Sequence, residues 1–184
     1  MKPAAHRAAF LDRDGVINVD HGYIHRADQF ELIPGVTTAL KRLQQAGMRL
    51  IVVTNQSGIA RGLYGEADYE RLTDHMRALL TREGVRLDGV YHCPHLPDAA
   101  LGAYRRECDC RKPMPGMILR GLADFGIDPA RSLLFGDKPS DIQAGRAAGI
   151  GWCCFIGPAG APNHGADCVA PDLVRGVEAA LSPA

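Results

Sequence analysis

The chain has 184 residues, 46% apolar and 23% charged, enough for one domain with a sizeable core and too few for two full-sized ones. Its 21 Lys and Arg balance 21 Asp and Glu, which argues against a polybasic nucleic-acid or membrane binder and against an acidic disordered tail. An aromatic share of 6% offers little for stacking on bases, whereas an anionic small molecule stays open, because a site can be basic on a neutral chain.

Residues 8–12 form a short apolar run ending in a carboxylate and read as a buried strand. Asp12, Arg13 and Asp14 interrupt that run too early for a signal peptide, and no stretch approaches the roughly 20 apolar residues of a membrane span. The cytosol is therefore the expected compartment, with reduced thiols. Pro34-Gly35 opens a helix carrying Val36, Ala39, Leu40 and Leu43, and Gly47 stops it. Residues 48–54 are β-branched and apolar, a second buried strand. Residues 55–65, with three glycines, read as a loop. Tyr69, Leu72, Met76 and Leu79 mark a helix ahead of Gly84. A weaker strand at 89–92 leads into a loop at 93–113. Pro115 suits the first residue of a helix carrying Ile118, Leu119, Leu122 and Phe125. A strand at 132–136 ends at Asp137. A short helix at 139–148, a strand at 151–156, a last strand at about 167–170 and a closing helix complete the chain. This alternation predicts one α/β domain over 1–184, a three-layer Rossmann-like parallel sheet with helices on both faces.

Ligands of such folds sit at the carboxyl ends of the strands, where Asp12, Thr54 and Asp137 fall. Asp12 and Asp14 can aim at one centre once the chain turns at Gly15, and Asp137 can join them. Three acids at one mouth repel unless a cation is present, and an all-oxygen set favours Mg²⁺. An isolated Asp-x-Asp would more simply be a pair of loop-capping acids; three strand-end positions in this fold favour the metal.

Asp12-x-Asp14-Gly-Val, Thr54-Asn55 closing a strand, Lys112 before proline, and Gly136-Asp137 together resemble the four motifs of the haloacid dehalogenase-like phosphatase superfamily, across essentially the whole chain. The resemblance implies that Asp12 is the nucleophile that forms an aspartyl-phosphate. It implies that Asp14 is the general acid and then base, and that Mg²⁺ is held by Asp12, the Asp14 carbonyl and Asp137. Thr54 and Lys112 would stabilise the phosphoryl oxygens, and Lys138 would orient Asp137 or touch phosphate. No large cap domain fits in 184 residues, so a monomer with an open site is expected.

Cys93-Pro-His95 and Cys108-Asp-Cys110 give three sulfurs and one imidazole in one loop, at about 93–110. The set suits a closed tetrahedral structural Zn²⁺ site, although the spacing is not that of a common finger. Two cysteine pairs, unrelated surface thiols and an iron–sulfur centre are the alternatives, the last usually wanting four thiolates. Zinc here would deliver Arg111 and Lys112 to the site. Cys153, Cys154 and Cys168 lie in apolar segments and read as buried small hydrophobes.

Asp12 to Asn18, Gly22-Tyr23, Thr54 to Gly62 and the Cys93–Pro113 loop are similar to the heptose-bisphosphate phosphatases of that superfamily. That resemblance implies removal of the 7-phosphate of a heptose 1,7-bisphosphate on the way to nucleotide-activated heptose for lipopolysaccharide or other surface glycans. It also implies substrate contacts from Asp20, His21, Gly22, Tyr23, Asn55, Gln56 and Ser57, with Arg111 clamping the remote phosphate. Leu96 departs from the second histidine common there. Histidinol-phosphate phosphatase is the nearest rival reading; Ser57-Gly-Ile-Ala-Arg61 and the insert between His95 and Cys108 stand against it. A non-catalytic phosphosugar-binding module is the other, and Asp12 with Asp14 stands against that.

Overall fold

The computed structural model describes residues 6–182; the expected domain, 1–184, runs beyond them at both ends. Six parallel strands form one sheet: β1 (Arg7–Leu11), β2 (Met48–Asn55), β3 (Gly89–Cys93), β4 (Leu133–Gly136), β5 (Trp152–Ile156) and β6 (Cys168–Ala170), in the order β3-β2-β1-β4-β5-β6. The main helices are α1 (Val36–Gln45), α2 (Ser57–Ala60), α3 (Glu66–Arg82), α4 (Gly116–Phe125), α5 (Pro139–Ala147) and α6 (Leu173–Leu181).

The central strands read as near-continuous apolar runs because helices cover both faces. Leu11, Leu50, Val52 and Phe135 pack on one side with Leu40 and Leu43 of α1, Leu72 and Met76 of α3, and Val177 of α6. Phe10, Ile51, Val53 and Leu134 pack on the other with Ile118 of α4 and Ile142 of α5. Adjacent residues of one strand thus feed opposite cores, as the period of two requires. Cys153 and Cys154 are buried in the two layers and Cys168 is half-buried.

The chain runs outward from β1 to β3 and then returns to lay β4 against the other side of β1, so strand order reverses between β1 and β4. A crevice opens at the carboxyl ends there. No inserted domain interrupts the described residues, and no helix among them is long and apolar enough to cross a membrane. Two local expectations are corrected. Residues 55–65 are not all loop, because the backbone closes one helical turn as α2. Pro115 caps α4 rather than beginning it, one residue before the helix.

Candidate active site

Gly15 turns the chain after β1. It holds φ 85°, and a Cβ there would stand 2.3 Å from Asp137 Oδ2, so both conformation and close approach require glycine. The Arg13 carbonyl anchors the turn by accepting from the Ile17 and Asn18 amides at 2.8 and 3.2 Å. Asp12 is thereby placed at the base of the crevice, 5% exposed.

Lys112 is buried beside it. Its ammonium lies 2.9 Å from Asp12 Oδ1 and 2.6 Å from Asp141 Oδ1, and it donates to the Val53 carbonyl at 2.8 Å. Asn55 holds the Lys112 backbone from both sides: its Oδ1 accepts from the Lys112 amide and its Nδ2 donates to the carbonyl, each at 3.1 Å. Burial works against the Lys112 charge, but Asp12 and Asp141 outweigh it and the ammonium is pushed up.

Side-chain oxygens of Asp12, Asp137 and Asp141 lie within 4.8 Å of one another. Burial pushes the Asp12 carboxyl up to about 7, with Asp141, Asp137 and Asp14 adding to the rise and Lys112 opposing it. Burial likewise raises Asp137, against Lys138. Asp137 Oδ1 is buried without a partner. Oxygen donors, a surplus of negative charge and an unpartnered oxygen suit a hard divalent cation. The expected set was Asp12, the Asp14 main-chain carbonyl and Asp137. The Asp14 carboxyl stands outside the side-chain cluster and turns to Arg13, Asn18 and Gln56. Asp141 takes a place the sequence reading left empty, facing Lys112 with Oδ1 and accepting the Lys138 amide on Oδ2 at 2.9 Å. Its signal was present: it lies one helical turn after Asp137. Gly136 admits it, since a Cβ there would meet Asp141 Cβ at 2.2 Å.

Beyond this base lies a cleft of about 680 Å³ that includes the expected Asp14, Asp20, Gly22, Tyr23, Asn55, Gln56, Ser57, Arg111, Lys112 and Lys138. Arg61 and Tyr64 line it too. Asp20 caps the Gly22 amide at 2.9 Å and stands 3.6 Å from the Lys138 ammonium. Arg61 lies 5.9 Å over the Tyr23 ring. Arg111 donates to the His95 carbonyl at 3.2 Å. His21 is not a lining residue; it is exposed and faces Glu31 at 3.5 Å. Thr54 and Gln56 are buried at the inner wall, 2.8 Å apart.

The Cys93, His95, Cys108 and Cys110 donor atoms also gather within 4.8 Å. The Sγ atoms stand 3.0, 3.3 and 3.5 Å apart, and His95 Nδ1 lies 3.4 Å from Cys110 Sγ and 3.7 Å from Cys93 Sγ. Tetrahedral zinc with bonds of about 2.3 Å has edges of about 3.8 Å, so the cradle is tighter than that site and its sulfurs would spread slightly to take the ion; all three cysteines are free thiols.

Residues 2–149 match the haloacid dehalogenase-like hydrolase family. D-glycero-β-D-manno-heptose-1,7-bisphosphate 7-phosphatase of Escherichia coli K12 is 53% identical over 144 residues, 78% of this chain and 75% of that protein. The Haemophilus ducreyi protein of the same name is 50% identical over 145 residues, 78% of this chain and 79% of its own. The crystal structure of D,D-heptose 1,7-bisphosphate phosphatase from B. bronchiseptica with magnesium and phosphate superposes with a TM-score of 0.80 at 32% identity, covering 95% of this chain and 98% of that one. The chain belongs to the haloacid dehalogenase-like hydrolase family and is an enzyme, a phosphoric monoester hydrolase.

Proposed function

We propose that the enzyme removes the 7-phosphate of D-glycero-β-D-manno-heptose 1,7-bisphosphate through an aspartyl-phosphate on Asp12, in the cytosol, in synthesis of nucleotide-activated heptose. The observation that carries the reading is the base of the crevice, where Asp12 stands 2.9 Å from the Lys112 ammonium in a cluster of carboxylates short of positive charge. Asp12 Oδ attacks phosphorus and Lys112 offsets charge on the phosphoryl oxygens. Thr54 donates to one of those oxygens. Asp14, at the cleft wall, gives its proton to the leaving C7 oxygen and takes one from the water that breaks the acyl phosphate. Asp12, Asp137 and the Asp14 main chain would hold Mg²⁺, which would screen the repulsion between nucleophile and phosphate dianion. Cys93, His95, Cys108 and Cys110 would hold structural Zn²⁺. The names of the relatives support the substrate and its anomer.

A bisphosphate also suits the cleft by charge. Lys112 is committed to Asp12 and Asp141, yet Arg61, Arg111 and Lys138 line the same space. The test is phosphate release from the α and β heptose 1,7-bisphosphates and from histidinol phosphate, side by side. A higher kcat/KM on the β bisphosphate is expected; a preference for histidinol phosphate would overturn the reading.

A further inference from the structure

Gln56 follows β2 directly, is 3% exposed and makes four hydrogen bonds within the protein. One amide atom lies 3.2 Å from Arg13 Nη2 and 2.6 Å from Tyr64 Oη; the other lies 3.1 Å from Asp14 Oδ2 and 2.8 Å from Thr54 Oγ1. A guanidinium only donates, whatever the state of its neighbours. Arg13 is therefore on the Oε1 side, Nε2 faces Asp14 and Thr54, and the orientation of the amide, usually an inference from the whole network, is fixed by this one neighbour. Two consequences follow for the site. The Thr54 hydroxyl faces an N–H and accepts from it, so its single hydrogen is not spent on Gln56. Gln56 itself has both hydrogens and both oxygen lone pairs engaged, leaving none for a substrate.

The surroundings hold the amide in that place. Arg13 is 2% exposed and forks onto both Asp14 oxygens, with Nη2 at 3.1 and 2.9 Å, so one guanidinium orders Asp14 and Gln56 together. Burial pushes the Tyr64 phenol up to about 12, so it keeps the proton it gives to Gln56. The Tyr64 ring stacks on His25 at 5.2 Å and passes so close to Gly58 that a Cβ there would meet it at 2.2 Å.

We propose that Gln56 is a positioning residue shared by the two ends of the scissile bond. It turns the Thr54 hydroxyl proton toward the phosphoryl oxygens and holds the Asp14 carboxyl at the leaving-group side. The proposal rests on the covalent phosphatase reading above, and it moves Gln56 from the expected substrate contacts to the machinery behind them.

The test uses Gln56→Met, which keeps the side chain's length and removes all four bonds, and Gln56→Glu, which keeps the acceptors toward Arg13 and Tyr64 and loses both donors. Each is compared with Thr54→Val, Asp14→Asn and the double variant Q56M/T54V, on the heptose bisphosphate and on p-nitrophenyl phosphate, whose leaving group departs without a proton. Both Gln56 variants are expected to lower kcat on the bisphosphate at least about tenfold with KM held within about threefold. On p-nitrophenyl phosphate, adding Q56M to T54V should cost less than about twofold, because the remaining effect runs through Thr54. A KM that rises at unchanged kcat makes Gln56 a substrate contact and overturns the proposal; so do losses that multiply in the double variant, the mark of a general structural role. Circular dichroism checks folding. Should Gln56→Met not fold, Tyr64→Phe removes one bond to the same amide and is expected to lower kcat about threefold at constant KM; unchanged kcat there counts against the proposal. Should Asp12→Asn keep full activity, the covalent reading itself has failed, a pattern distinct from full activity in the Gln56 variants alone.

Discussion

At the scale of residues, Asp12 and Arg111 carry separate burdens and separate tests. Asp12 is nearly buried and paired through Lys112, and Asn at that position keeps the volume while removing both the nucleophile and the charge. Asp12→Asn is expected to retain the fold and lose essentially all turnover. Single-turnover assays with labelled substrate should then leave no label on the protein; label retained by the variant would move the nucleophile elsewhere. Arg111 spends one Nη on the His95 carbonyl and has the rest of its fork available at the cleft. Arg111→Ala is expected to cut kcat/KM on the bisphosphate by roughly 10–100-fold, the loss of a charge-assisted clamp. A simple phosphate ester should lose about threefold or less, and equal losses would sink the clamp. The acids, Thr54, Lys112 and the four metal-type ligands were legible because each follows a strand or shares one loop. Asp141 was not, because a carboxylate inside a helix's first turn also reads as a cap, and here it does cap Lys138. His21 stands off the cleft lining, because adjacency to Asp20 and Gly22 says nothing about which way an exposed ring points, and here it faces Glu31, ten residues on.

At the scale of elements, the segment from 93 to 113 has little secondary structure of its own, a single turn at Gly102–Tyr104. Its two ends are nonetheless pinned. Cys93 ends β3 in register with Asn55, and Asn55 clamps Lys112. The four ligand atoms tie those ends together two and four residues before Lys112, at Cys110 and Cys108. Metal analysis is therefore expected to find about one zinc per chain. Removing it by chelation, or substituting Cys108→Ser, should free the loop to proteolysis between 97 and 107. Activity should fall while far-UV circular dichroism holds, since the sheet and its helices lie outside the loop. A metal-free protein with full activity and an uncleaved loop would show that packing alone holds the segment. The sequence reading recovered every main strand and the longer helices because their apolar periodicity is imposed by the two cores. It missed α2, since one helical turn gives no periodicity to read and Gly58 and Gly62 look like loop residues.

At the scale of the whole molecule, a parallel sheet separates stability from chemistry by direction. Every strand delivers its carboxyl end to the same edge, so Asp12, Thr54 and Asp137 meet there although their strands pack along their whole length. Leu50 lies four positions before Thr54 on the same strand, and at about 3.3 Å per residue it sits about 13 Å upstream of the site. It is fully buried in the core layer that holds Leu40, Leu43 and Phe135. Leu50→Ala should therefore cost about 2–5 kcal/mol of stability, the transfer and cavity cost of an unrelieved core truncation. Urea unfolding measures that loss through a lower midpoint at unchanged slope. Turnover per folded molecule should stay within about twofold of wild type, because the sheet's hydrogen-bonded register, not the filling of its far core, sets where Asp12 and Thr54 stand. Gly15→Ala is the converse case. A Cβ at φ 85° and 2.3 Å from Asp137 Oδ2 strains the turn and displaces a carboxylate at the site, so turnover should collapse by more than its unfolding midpoint accounts for. If Leu50→Ala instead slowed the folded enzyme as much as Gly15→Ala does, the crevice would depend on core packing throughout the sheet, and the division of labour along the strands would be wrong.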